Sequence, residues 1–150
     1  MIASLTDQLI RDEELRQKPY LDCCGKYWRD CTCQTKGKLT IGVGRNLDDV
    51  GIGLSEAAVL LANDIKAATV ALEANFPWTM DLDDVRKGAL LNMTFNMGIH
   101  ALSQFDTFLE LMKAGDYKGA AADDLHTLWA KEVGPRAQRI SMQIESGYWQ

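Results

Sequence analysis

Lys38-Leu39-Thr40-Ile41-Gly42-Val43-Gly44 is the one β-like patch in a chain otherwise patterned for helices. Its β-branched residues are interleaved with glycines, which predicts a short strand that bends at Gly42 and Gly44. On its N-terminal side, residues 19–37 carry turn signals, polar side chains and all four cysteines, and read as irregular. Residues 2–18 read as a helix: Ile2, Leu5, Leu9 and Glu13 recur at spacings of three and four, and Pro19 ends the pattern. On the C-terminal side, Asn46 to Gly53 is a loop, and Ser55 is placed to cap a helix running to about Phe76, with Pro77 beyond it. Asp81 and Asp84 resemble a capping pair for a helix ending near Gly98. Shorter helices follow at about 103–114, 117–131 and 136–146, with Gly115, Gly134 and Gly147 as stops. The expected fold is α+β and mainly helical: a small β-containing N-terminal lobe over about 13–54, a connecting helix over about 55–76, and a helical lobe over 77–150 that takes in helix 1.

Composition bounds what such a chain can do. At 150 residues and 16.7 kDa, a single domain around one main core is expected over 1–150. Apolar residues at 47% and charged residues at 25% exclude a disordered or collagen-like chain. No apolar run approaches the roughly 18–20 residues that span a bilayer. The N-terminal residues lack a basic stretch followed by an apolar core, so no secretion signal is expected and synthesis is placed in the cytoplasm. A net charge of −5 argues against nucleic acid as a partner. That charge is uneven: residues 1–45 hold eight Lys/Arg against six Asp/Glu, while the remainder holds eight against fifteen. A substrate site in the first third would be mildly basic on an acidic body.

The first helix carries an acid where an apolar residue belongs. On a helical wheel, Glu13 falls near the mean direction of Ile2, Leu5, Leu9 and Ile10, whereas Glu14 turns toward solvent. Loss of hydration favours the protonated form of a carboxyl, as a general acid near neutral pH requires. The alternative is an ion pair with Arg16, three residues on. Nine residues after Glu13, just past Pro19-Tyr20, comes Asp22. Two carboxylates across a glycosidic bond are the minimum equipment of a glycoside hydrolase: one protonates the leaving oxygen, the other handles water or the sugar carbon.

Arg11-Asp12-Glu13-Glu14-Leu15-Arg16, then Tyr20-Leu21-Asp22, then Leu39-Thr40-Ile41-Gly42-Val43-Gly44 resemble the active-site region of bacteriophage lysozymes of the T-even type, glycoside hydrolase family 24. The likeness continues through Asn92-Met93-Thr94-Phe95-Asn96-Met97-Gly98, Trp129 and Pro135-Arg136-Ala137, so it covers nearly the whole chain. The resemblance implies a lysozyme-like fold and a muramidase acting on the β-1,4 bond between N-acetylmuramic acid and N-acetylglucosamine. Glu13 would be the general acid, Asp22 the carboxylate that activates or positions water, and Thr40 the hydroxyl that holds that water. Inversion of configuration is implied, which needs carboxyl groups about 6.5–9.5 Å apart. Gly42 and Gly44 would let sugar approach the backbone, and Phe95 and Asn96 would line the cleft, with core packing the other use of Phe95. The implied partner is peptidoglycan, with no cofactor and a monomeric enzyme. A holin would serve only indirectly, opening the way from host cytoplasm to the periplasm and cell wall at lysis. A lytic transglycosylase, which needs one acid, or a non-catalytic wall-binding module are the rival expectations.

The sequence departs from the family pattern in an insertion. Seventeen residues separate Asp22 from Thr40, many more than in the family, and the excess falls on the segment holding Cys23, Cys24, Cys31 and Cys33. Thr32 and Thr35 are therefore also available, and Thr40 is chosen because it directly precedes Ile41-Gly42-Val43-Gly44. Arg45 stands where the best-known members carry His. For the four thiols, disulfides pairing Cys23 and Cys24 with Cys31 and Cys33 are favoured, with free thiols and zinc as alternatives. Adjacent cysteines and a Cys-x-Cys lack the usual knuckle spacing of a zinc site. Tyr27 and Trp28 in the insertion could stack on sugar or pack locally. His100 and His126 read as structural.

Overall fold

A computed structural model of the chain describes residues 4–150. It is α+β and mainly helical, as expected, and divides into two compact units, Met1–Ala58 and Val59–Gln150. No described helix is long and apolar enough to cross a membrane.

The first unit opens with helix α1 (Leu5–Glu13), whose N-cap Ser4 accepts a hydrogen bond from the Asp7 N–H. Ile2, assigned to this helix from the sequence, lies outside the described residues. The helix stops five residues short of the expected end at 18, at Glu14, the one described non-glycine residue with positive φ (60°). Leu15–Leu21 then forms strand β1, which pairs antiparallel with β2 (Leu39–Val43), and β2 in turn pairs with β3 (Arg45–Asn46). Pro19 sits inside β1 and does not end a helix. It is tolerated because β1 is an edge strand whose register shifts between Arg16 and Tyr20, where a missing N–H breaks no regular ladder. Gly42 and Gly44 take φ of 68° and 67°, giving β2 the bends expected from their position.

Helix α2 (Leu54–Asn75) starts one residue before Ser55. Its first turn is capped by Glu56, whose carboxylate accepts the Gly53 N–H at 2.7 Å, the reaching-back half of a capping box.

The second unit holds the apolar core. After a 3-10 turn at Pro77–Asp81 come α3 (Asp84–Met97), α4 (Ile99–Leu102), α5 (Asp106–Ala114), α6 (Tyr117–Asp124), α7 (Leu128–Val133) and α8 (Pro135–Ser146). Asp83, and not Asp81, is the N-cap of α3, accepting the Arg86 N–H at 2.9 Å. The segment read as one helix over 117–131 is two, because Thr127 accepts the Ala130 N–H and starts α7 afresh. Leu90, Met93, Leu102, Phe108, Met112 and Ile144 are fully or almost fully buried at the centre. Arg86 ties three helices together: its Nε donates to the Ile144 carbonyl of α8 at 2.9 Å, and its guanidinium lies 3.8 Å from the Tyr117 ring of α6.

Candidate active site

Strand β2 organises the candidate residues of the first unit. Glu13 is the last residue of α1, so its side chain extends past the final turn onto the bend after β2. A Cβ built on Gly44 would lie 2.8 Å from Glu13 Oε2, which places the carboxylate directly against that glycine. The expected burial of Glu13 on the apolar side of the helix is not found: α1 buries none of its residues, and Glu13 is exposed. The ion pair with Arg16 is not formed either. Arg16 binds Glu14 at 3.0 Å, donates to the Gly25 carbonyl and stacks 4.4 Å from the Tyr20 ring. Among the described residues no ion pair engages the Glu13 carboxylate.

Asp22 and Thr40 stand at the other end of the strand, and one residue positions both. The Lys38 N–H donates to Asp22 Oδ1 at 2.8 Å. The Lys38 carbonyl accepts from the Asp22 N–H at 3.1 Å and from the Thr40 hydroxyl at 3.2 Å. Asp22 therefore extends the ladder one step beyond Leu21↔Leu39, with its carboxylate exposed and fixed from one side. Thr40 is buried and lies opposite Tyr20 on β1 and Asn46 on β3; its hydroxyl oxygen keeps lone pairs for a further donor such as water. Thr32 and Thr35 are exposed in the insertion and belong to no strand.

Two supports escaped the sequence reading. Gly37 is one: a Cβ there would fall 1.8 Å from Asp22 Oδ1 and 2.7 Å from the Cys23 backbone nitrogen. Only a residue without a side chain leaves Asp22 its place. Arg45 is the other. Its two Nη atoms bind the two oxygens of Glu56 at 2.9 and 2.8 Å, and its Nε donates to the Gly51 carbonyl at 2.9 Å. That fork joins β3 to the first turn of α2, so Arg45 works as a strut beside the glycine bend. At the same edge, a hydrogen bond from Lys38 Nζ holds Asp49 below the ordinary carboxylate range and raises Lys38.

Phe95 and Asn96 lie on α3 of the second unit. Phe95 is half exposed and lines a cavity of about 400 Å³ with Leu61, Ile65, Leu91 and Trp149. Asn96 uses its Oδ1 to accept the Trp129 indole N–H at 2.7 Å. In the insertion, Tyr27 and Trp28 pack on one another with ring centroids 5.9 Å apart, and Arg29 covers Trp28.

The four cysteine sulfurs converge, all within 4.8 Å of one another, and all four thiols are free. Cys23 Sγ and Cys31 Sγ lie 3.7 Å apart. A hydrogen bond from the Cys33 backbone N–H holds the Cys31 thiol down to about 7, while the crowding of Cys31 and Cys23 pushes Cys33 up to about 12.

A mainly helical chain with a small antiparallel sheet, entered from a helix that ends in a glutamate, is the architecture expected of a lysozyme-like fold. Residues 11–142 match the model of a family described as phage lysozyme, and the chain belongs to that family. It is 27% identical to probable T4-type lysozyme 1 of Dictyostelium discoideum, over 98% of this chain and 96% of that protein. It is 30% identical to the pre-baseplate central spike protein Gp5 of Enterobacteria phage T4, over 96% of this chain but 28% of the relative. A second Dictyostelium discoideum protein, probable T4-type lysozyme 2, is 27% identical over 98% of this chain and 96% of its own length.

Proposed function

We propose that the chain hydrolyses the β-1,4 bond between N-acetylmuramic acid and N-acetylglucosamine in peptidoglycan, with inversion, and that it serves as a phage endolysin in host lysis. Glu13 gives its proton to the glycosidic oxygen. Asp22 takes a proton from, or orients, the attacking water, and the Thr40 hydroxyl holds that water in place. Gly42 and Gly44 keep the bend free of side chains where sugar meets backbone, and Phe95 and Asn96 contribute to sugar binding. No cofactor is needed for this chemistry. The enzyme acts as a monomer, made in the host cytoplasm and released to the wall through a holin-made pore.

One observation carries the reading. The backbone of Lys38 fixes Asp22 and Thr40 together at one end of β2, while Glu13 rests against Gly44 at the other. Glu13, from the end of α1, and Asp22, from just past β1, are both held on β2, which supports their assignment as the acid and the water-handling carboxylate.

Product analysis tests it. Digests of Gram-negative peptidoglycan should contain reducing N-acetylmuramic acid ends, and NMR of the first-formed product should show the α-anomer. Anhydro ends would identify a transglycosylase, and a first-formed β-anomer would remove inversion. Absence of any cleavage, with binding retained, would leave a wall-binding module.

A further inference from the structure

We propose that Cys23, Cys24, Cys31 and Cys33 form a structural zinc site that holds the insertion between Asp22 and Thr40. The geometry is the first reason. Four thiolates around zinc, at about 2.3 Å from the metal, lie about 3.8 Å apart along the edges of a tetrahedron. Here the four sulfurs lie within 4.8 Å of one another, and Cys23 and Cys31 are 3.7 Å apart. A disulfide gathers two sulfurs at about 2.05 Å and has no reason to bring a second pair onto the first.

The chain path explains how an unpromising spacing meets the requirement. Just past β1, the Leu21 carbonyl accepts from the Cys24 and Gly25 N–H groups at 3.3 and 2.8 Å, and the Leu21 N–H donates to the Lys26 carbonyl at 3.0 Å. This tight turn, with Gly25 at φ 65°, presents two adjacent cysteines together. The 3-10 turn at Trp28–Asp30 then brings the chain back, so Cys31 and Cys33 meet them.

Charge and packing point the same way. Four thiolates need a counter-ion; a dication leaves a net −2, and the segment 23–38 supplies Lys26, Arg29, Lys36 and Lys38 against Asp30 alone. No residue from Asp22 to Leu39 is buried, so an apolar core cannot be what orders this stretch. Small segments without a core are held by staples, and a metal is one. Loading is balanced without an oxidant: one zinc ion displaces the remaining thiol protons and forms four metal–sulfur bonds. With four protein ligands the site has no open position for water, so it takes no part in bond cleavage. Its effect is positional, because Cys23 follows Asp22 directly and packs with it against Gly37.

The test is metal and thiol stoichiometry of the full chain, purified without reductant. One zinc per chain is expected by elemental analysis, together with four thiols that titrate in denaturant with chelator. Cobalt(II) in place of zinc should give the thiolate-to-metal and tetrahedral bands of a four-sulfur site. Cys31→Ser and Cys33→Ser should each lose stoichiometric metal, whereas Glu13→Gln should keep it, which separates this site from the catalytic reading. Chelation should lower the rate on peptidoglycan several-fold, with recovery on adding zinc alone. No titratable thiols in denaturant would mean two disulfides and overturn the proposal. Four free thiols that fail to retain added zinc or cobalt would overturn it equally.

Discussion

Gly44 and Gly37 do the same work at opposite ends of β2. Each leaves empty the volume that a carboxylate of the proposed site fills. Gly44→Ala puts a methyl 2.8 Å from Glu13 Oε2 on a backbone with φ of 67°. The oxygen belongs to a flexible side chain that can move aside, so folding should lose only about 1–2 kcal/mol. The acid moves with it, and kcat should fall about tenfold to a hundredfold with little change in KM. Gly37→Ala meets Asp22 Oδ1 and the Cys23 backbone together, and a backbone cannot step aside. Its loss of rate should be larger and accompanied by a clear drop in Tm. Steady-state kinetics with thermal melts for both variants separate the two cases.

At the scale of elements, the helical unit depends on Arg86 more than its sequence position suggests. Arg86→Met keeps the aliphatic stem but removes the bond to the Ile144 carbonyl, the ion pair with Asp83 at 2.8 Å and the face of Tyr117. A loss of about 2–3 kcal/mol is expected in urea unfolding, with activity per folded molecule preserved. This three-helix contact is invisible in sequence because its partners lie far apart along the chain. Strand β2 was legible, since interleaved β-branched residues and glycines have few other uses. Strand β1 was not. Leu15, Arg16, Gln17 and Lys18 are ordinary helix formers, and only pairing with β2 makes them extended. Glu13, Asp22 and Thr40 are singled out by the resemblance to phage lysozymes, whose motifs they match in order. What holds them (Lys38 backbone, Gly37, the Arg45–Glu56 fork) was hidden, because backbone groups and glycines announce no partner. The convergence of the cysteines was hidden for the same reason: it follows from two turns that linear spacing does not encode.

For the whole molecule, pH acts on stability through a buried acid of the helical unit. Asp124 is fully buried, accepts the Ser141 hydroxyl at 3.0 Å through Oδ2, and leaves Oδ1 without a partner. Burial, opposed in part by Ser141, raises its pKa from 3.8 to about 6. The folded state therefore binds this proton more tightly than the unfolded chain. Its contribution to stability is complete below the ordinary aspartate range and is lost as pH rises through about 6. Relative to Asp124→Asn, the wild type should lose about 2 kcal/mol of unfolding free energy between about pH 4 and pH 7. Denaturant titrations at both pH values measure that difference, and a parallel pH dependence in the two proteins would mean that Asp124 ionises freely.

The most direct measurement for the central claim is the rate at which Glu13→Gln clears permeabilised Gram-negative cells, set against wild type at equal folded concentration. The amide keeps the size of the side chain and its place beside Gly44 but has no acidic proton to transfer to the leaving oxygen. A loss of about a hundredfold or more, with an unchanged circular dichroism spectrum and melt, is the expected result. Clearing at the wild-type rate would contradict it and take the general-acid role from Glu13.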